Sequence, residues 1–341
     1  MRLGQNIIIS NDALCRRLYS DIKGGTLAHA YIIEGRPGSG RHTLAKTIVS
    51  ALACKSESSL PCGKCLSCRH VFEDKCPDVI TVGRDGKASV GIDSIRTIKS
   101  TLAAVPNDLD VKAYIVEDAD TMTVQAQNAL LLTLEEPPKN VYFFILCENA
   151  RALLETIRSR AATLRMDRLS ADEIADCLTS DKVDKSISDA AISLKKGQPD
   201  EFDTVLVAAD GSLGRAMALL SPKERAPVKA LRDMAESFIS VLMPGSTALP
   251  LTMLPEFSSK RDELALQLDH IKCALRDLIL LKKTENAPLC FYVSRSKALE
   301  VSDRFSEKRL LTAFERVDAA ESAIRRNAGV RLTLIDMLSE L

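Results

Sequence analysis

Eight consecutive residues, Gly35-Arg36-Pro37-Gly38-Ser39-Gly40-Arg41-His42, carry the glycine spacing of a phosphate-binding loop but end on different chemistry. In such a loop the glycines let backbone N–H groups approach phosphate, a lysine neutralises the outer phosphates, and the following hydroxyl holds Mg²⁺. Here Arg41 keeps the charge and His42 removes the metal ligand, while Thr43 falls one residue late and serves only if the loop shifts register. A second group, Cys54-x7-Cys62-x2-Cys65-x2-Cys68, has the spacing by which short turns bring thiolates onto one tetrahedral Zn²⁺, with Pro61 and Gly63 supplying the bends. Four sulfurs leave no open position, so the expected ion is structural; disulfides or buried thiols are the alternatives, and Cys76 is a spare ligand or a buried thiol. A third group, Glu117-Asp118-Ala119-Asp120, stands where a nucleotide hydrolase keeps one acid for Mg²⁺ and a second to orient water. The order Glu-Asp reverses the usual one and changes each reach by about 1.5 Å. A displacement of that size costs on the order of a hundredfold in rate. Alone, the acids also read as a strand-to-helix cap.

The elements that must position these groups follow from periodicity. Ala30 to Ile33 is an apolar strand before the glycine loop, and Leu44 to Cys54 a helical pattern after it. Val79 to Val82, Ala113 to Val116 and Val141 to Leu146 read as further buried strands. Between them a helix opens near Gly91 to Ile98 behind Asp93 as cap, and Gln125 to Leu134 forms another that stops at Pro137-Pro138. Strands alternating with helices predict a doubly wound parallel α/β sheet with ligands at the carboxyl ends of the strands.

Composition limits the function classes. The chain of 341 residues is long enough for two or three domains, and 46% apolar residues suffice for their cores. Basic and acidic residues balance at 46 each, so no bulk positive field points to nucleic acid or an anionic membrane. Met1 to Asn6 lack a signal-peptide core, and Val141 to Cys147 is too short to span a bilayer, which predicts a cytoplasmic location. The four histidines are dispersed, and no Gly-x-Ser-x-Gly or His-Glu-x-x-His motif occurs. Cys15, Cys147, Cys177, Cys273 and Cys290 read as small core residues.

Gly35 to Thr43, the four-cysteine cluster, Ile115-Val116-Glu117-Asp118-Ala119-Asp120, the run Asn128 to Pro138 and Ser159-Arg160 together resemble the AAA+ clamp-loader subunits of bacterial DNA polymerase III, nearly end to end. The resemblance implies an AAA+ P-loop domain with a zinc-binding insertion at 54–68, spanning 1–167, then a small helical lid domain at 168–221 and an all-helical collar at 222–341. Ser170-Ala171-Asp172-Glu173 marks the lid's first helix as a capping box, and apolar stripes such as Leu264, Leu268, Ile271, Leu275 and Leu278 mark the collar's long helices. In the family a Ser-Arg-Cys motif sends its arginine into the ATP site of the neighbouring subunit. Ser159-Arg160-Ala161 keeps the arginine and loses the cysteine, which makes Arg160 the implied arginine finger in trans; read from the residues alone, a local salt bridge is the favoured role, and Arg158 lies two positions away.

The same resemblance puts the polar sensor position at Asn149, and makes Gly211-Ser212-Leu213-Gly214-Arg215 the second sensor, through Arg215. Gly35, Gly38, Gly40, Arg41, His42, Thr43, Glu117, Asp118, Asn149 and Arg215 then form a degenerate nucleotide site for ATP and Mg²⁺. Implied partners are gamma/tau and delta subunits in a hetero-pentamer, the sliding clamp, and primer-template DNA within the assembly, with no membrane. Two other readings stand beside this one. One is an active gamma/tau-like ATPase using Arg41 and Thr43, and the other a zinc-bearing scaffold or DNA-binding module.

Overall fold

The computed structural model describes residues 3–4, 8, 11–56, 59–102, 104–244, 249–284, 287 and 289–341; Met1, Arg2, Gln5 and Asn6 lie outside them. The chain divides into two compact units, one comprising Met1–Val183 with Ser212–Arg215, the other Asp184–Gly211 with Ala216–Leu341.

The first unit runs α1 (Asp12–Gly24), β1 (Ala30–Glu34), α2 (Arg41–Ala53), α3 (Leu66–Phe72), β2 (Val79–Val82), α4 (Ile92–Leu102), β3 (Lys112–Val116), α5 (Val124–Glu135), β4 (Val141–Cys147), α6 (Glu155–Arg158), β5 (Ala162–Arg165) and α7 (Ala171–Leu178). All strand pairs are parallel, in the order β2-β3-β4-β1-β5. Successive residues of a strand point to opposite faces, and here both faces are covered. Ile33, Ile115 and Phe144 pack with Leu44 and Ile48 of α2 on one side; Ile32, Tyr114, Phe143 and Ile145 pack with Ile95 and Leu130 on the other. This is the doubly wound parallel α/β sheet that the alternation predicts.

The expected strands and the helix before Pro137 occur within one residue of their predicted ends, while the helix after the glycine loop begins three residues earlier than expected, at Arg41. Asp93 sits inside the first turn of α4 rather than ahead of it, where its carboxylate meets the helix dipole and pairs with Arg96 at 2.8 Å. The capping box at Ser170 forms in full, with both the Ser170 and the Glu173 side-chain bonds in place.

The second unit is helical among its described residues. The run expected to reach Leu220 is broken into α8 (Lys185–Gly197), α9 (Pro199–Ala208) and α10 (Leu213–Leu219), whose first residues group with the first unit. Then follow α11 (Pro222–Leu242), α12 (Arg261–Lys283), α13 (Arg295–Asp303), α14 (Glu307–Arg325) and α15 (Val330–Ser339). The predicted stripe of α12, Leu264 to Leu278, is buried against α11 and α14. No described helix is long and apolar enough to cross a membrane.

One buried carboxylate fixes the approach to the central strands. Asp78, fully buried, accepts N–H bonds from Asn107 (2.7 Å), Asp108 (2.7 Å) and Leu109 (2.8 Å), anchoring the segment that leads into β3. Asp78→Ala removes the acceptor of three amides, that of Leu109 in a buried site, so we expect urea unfolding to report a loss of about 2–4 kcal/mol. Exposed Asp93→Ala should cost far less under the same conditions.

Candidate functional site

Because the strands are parallel, the loops after β1, β3 and β4 emerge at one edge of the sheet, and there the glycine loop meets the acids. The Gly35 N–H donates to the Cys147 carbonyl at 3.1 Å, tying the loop to the end of β4. A side chain at Gly35 would collide with Ser39 Oγ at 2.6 Å and Met166 Cβ at 2.9 Å, while Gly38 (φ 74°) and Gly40 (φ 92°) adopt left-handed conformations. The loop then opens α2, with the Leu44 N–H on the Gly40 carbonyl at 2.8 Å. Three polar atoms at this turn are buried without a partner among the described residues: Ser39 Oγ, Arg41 Nη1 and His42 Nε2. Ser39 Oγ and Arg41 Nη1, with the amides of a 13-residue helix start, form a donor set that fits phosphate oxygens. Thr43 follows as a residue of α2's first turn, and its carbonyl accepts from Thr47 Oγ1 at 2.6 Å.

The acids are differently placed. His42 Nδ1 lies 3.6 Å from Glu117 Oε1, and burial holds the imidazole below its ordinary pKa despite that carboxylate, so the pair is a close contact of a neutral ring rather than an ion pair at pH 7. Asp118, at φ 48°, accepts from Arg84 Nε at 2.7 Å. An imidazole stands at the hydroxyl position and Asp118 is engaged by Arg84, so this edge fits phosphate better than Mg²⁺. Beside it His42, Asp74, Cys76, Thr81 and Glu117 line a cavity of about 370 Å³. Cys76 belongs to this wall, and burial pushes its thiol up.

Asn149 is exposed, and its side-chain oxygen accepts from the Arg151 N–H at 2.9 Å, closing its own turn. Ser212-Leu213-Gly214-Arg215 reaches the loop through the Ser212 hydroxyl and the Gly214 backbone. Ser212 Oγ donates to the Pro37 carbonyl at 2.8 Å, and the Gly214 N–H donates to the Gly38 carbonyl at 3.0 Å. The approach is so close that a Cβ on Gly214 would sit 2.7 Å from that carbonyl oxygen; the Arg215 side chain itself is exposed.

Arg160 lies elsewhere. It precedes β5, whose residue Ala162 pairs with Tyr31, so it stands at the amino edge of the sheet while Gly35 stands at the carboxyl edge. Six residues of strand separate the two levels, about 20 Å. Its guanidinium donates through Nη2 to Glu135 Oε1 (2.8 Å) and through Nη1 to the Thr156 carbonyl (3.0 Å). Ala161, in the place of the expected cysteine, is buried in the core, whereas Arg158 is exposed. Sequence reasoning missed Arg84, Glu135 as a partner, and Gln127. Gln127 is buried and binds the Leu154 N–H (2.8 Å) and the Met122 carbonyl (3.2 Å), tying α5 to the turn that starts α6. A glutamine inside the leucine-rich pattern of α5 was the available signal.

The four cysteines converge. The Sγ atoms of Cys54, Cys62, Cys65 and Cys68 lie within 4.8 Å of one another, close to the roughly 3.8 Å that tetrahedral thiolates about 2.3 Å from a metal require. Backbone N–H groups of Lys64 and Cys65 bring the Cys62 thiol down to about 6, favouring thiolate, while burial pushes Cys68 up. The cluster is held on α2 by Lys46, whose Nζ meets Asp74 Oδ1 at 2.6 Å just beyond α3. Such a donor set suits one metal ion. Titration of the reduced protein with Co²⁺ should therefore saturate near one equivalent with a thiolate charge-transfer band, and Cys62→Ser or Cys65→Ser should abolish it.

Comparison with known proteins bears on the same residues. Residues 10–170 match the family model described as DNA polymerase III, delta subunit. DNA polymerase III subunit tau of Bacillus subtilis is 26% identical over 246 residues, 72% of this chain and 40% of that protein. Subunit delta' of the same organism is 32% identical over 166 residues, 49% of this chain and 50% of that one. Among solved structures, a DNA polymerase III gamma subunit-related protein of Thermotoga maritima aligns over 94% of this chain and 97% of its own, at 19% identity and a TM-score of 0.46. The chain spans about half the length of the first curated relatives it matches. Over residues 10–170, a little under half of its length, the chain is thus similar to the clamp-loader subunits of DNA polymerase III.

Proposed function

We propose that the protein is a delta'-like clamp-loader subunit. In this reading it does not hydrolyse ATP itself but donates Arg160 in trans to the nucleotide of a neighbouring gamma/tau subunit, within a hetero-pentamer that also holds delta. That assembly loads the sliding clamp on primer-template DNA. The observation that carries the reading is the position of Arg160 at the sheet edge opposite the glycine loop, roughly 20 Å from the phosphates this loop would hold. A guanidinium there has no reach to its own site, and a finger supplied in trans is worth on the order of 10³–10⁵ in rate.

The altered loop supports the same conclusion. His42 stands where the metal-binding hydroxyl belongs and Asp118 is engaged by Arg84, so phosphate binding and hydrolysis come apart. Arg41, Ser39 and the loop amides would hold phosphate without recruiting Mg²⁺. Arg215 and Asn149 are then lid and sensor positions without a catalytic task. Zn²⁺ in the four-thiolate cluster would be structural, supplying only coordination that closes 54–68. Residues 168–221 would be the lid and 222–341 the oligomerising collar.

Matches to tau and gamma relatives favour a second reading, an active ATPase with Arg41 and Thr43 in the usual roles. Steady-state ATPase assays on the chain alone and on a reconstituted loader separate the two. We expect no turnover by the chain alone, Mg²⁺ leaving its ATP affinity unchanged, and at least a severalfold loss when Arg160→Ala is assembled in place of wild type. Turnover by the isolated chain that collapses in Asp118→Ala, with Arg160→Ala silent in the assembly, would overturn the proposal.

A further inference from the structure

We infer that Glu135 is a positioning residue for Arg160, presenting its guanidinium in one orientation to the phosphate of a nucleotide held by a neighbouring subunit. The inference rests on the trans-arginine reading above. It begins from how the guanidinium is gripped. Nη2 donates to Glu135 Oε1 at 2.8 Å, and Nη1 donates to the Thr156 carbonyl at 3.0 Å and to Ser159 Oγ at 3.4 Å. Among the described residues Nε–H has no acceptor. Since the five donors of a guanidinium form a rigid fork, holding the Nη groups fixes the direction in which the Nε edge points. That edge is the one left for a phosphate oxygen.

Stability does not explain the pair. The side chains keep 36% and 42% of their surface exposed, and at such exposure an ion pair contributes little to folding. Glu135 is moreover the last residue of α5, where a carboxylate faces the negative end of the helix dipole, and Glu136 follows it. Local electrostatics therefore oppose a carboxylate at this position, and the guanidinium offsets them. The two side chains are also carried on elements tied together, because Gln127 of α5 binds the Leu154 N–H that starts α6. Glu135 is thus fixed relative to Arg160 by a buried contact that neither residue makes itself.

The test uses a reconstituted loader containing the full chain as wild type, Glu135→Gln, Glu135→Ala, Arg160→Ala or the double variant Glu135→Ala/Arg160→Ala, each at wild-type melting temperature and assembly. Glu135→Ala should lower kcat about tenfold, the order expected for a misaligned catalytic group, with the KM for ATP unchanged. Glu135→Gln, whose amide oxygen still accepts from Nη2, should recover most of the rate. In the Arg160→Ala background, Glu135→Ala should add nothing, because the two act as one unit. A kcat for Glu135→Ala equal to or above wild type, or an equal further loss in the Arg160→Ala background, overturns the inference while leaving the trans role of Arg160 intact. If Arg160→Ala itself leaves the assembled ATPase unchanged, the trans-arginine reading fails and the role of Glu135 falls with it.

Discussion

A parallel sheet buried on both faces allows its strands only one arrangement of ends. Every carboxyl terminus emerges at one edge and every amino terminus at the other, and the covering helices leave no third place for irregular backbone. From this follow both halves of the chemistry. Glycine loop, acids and Asn149 share the carboxyl edge because they follow β1, β3 and β4; Glu135 and Arg160 share the amino edge because they precede β4 and β5.

The same constraint explains how much of the molecule is legible in the sequence. Runs such as Tyr31 to Ile33 and Phe143 to Leu146 are apolar without alternation because both faces are covered, so strand existence and parallel class are readable. Strand order is not. The placement of β1 between β4 and β5 joins residues more than a hundred positions apart, and no local period records it. The missed partners fail for that reason. Arg84 meets Asp118, and Glu34 meets the Ala150 N–H (3.0 Å) and Arg165 (3.0 Å), only because sheet order brings separate loops together. The capping box at Ser170, by contrast, is complete within four residues and was readable in full. The cysteine cluster belongs with it, since its ligands close through short turns.

Chemistry at the glycine loop divides along a similar line. Residue types could be read directly: a guanidinium for an ammonium, an imidazole for a hydroxyl. Their partners could not, and the partners decide what each group does. Asp118 read in isolation is an acid free to orient water; held by Arg84 at 2.7 Å, it is the far end of a loop-to-loop contact. His42 read in isolation is a lost metal ligand; half-buried and neutral, it stands as a wall of the adjoining cavity.

The glycines of the loop are held by steric constraints of their own. Gly35 and Gly38 are required by packing, and Gly40 by its backbone conformation. A Cβ on Gly35 would collide with Ser39 and Met166, and one on Gly38 would sit 2.7 Å from Ser212 Oγ and 2.8 Å from the Arg215 backbone nitrogen, while Gly40 turns at φ 92° to start α2. Gly214 is bound by the same contact from the other side, since a Cβ there would strike the Gly38 carbonyl. The close approach of these two backbones, with hydrogen bonds on Pro37 and Gly38, holds the loop in shape whether or not phosphate is present. Glycine spacing in this chain therefore reports a backbone path, and the bonding of Arg41, His42 and Asp118 reports what that path is still equipped to do.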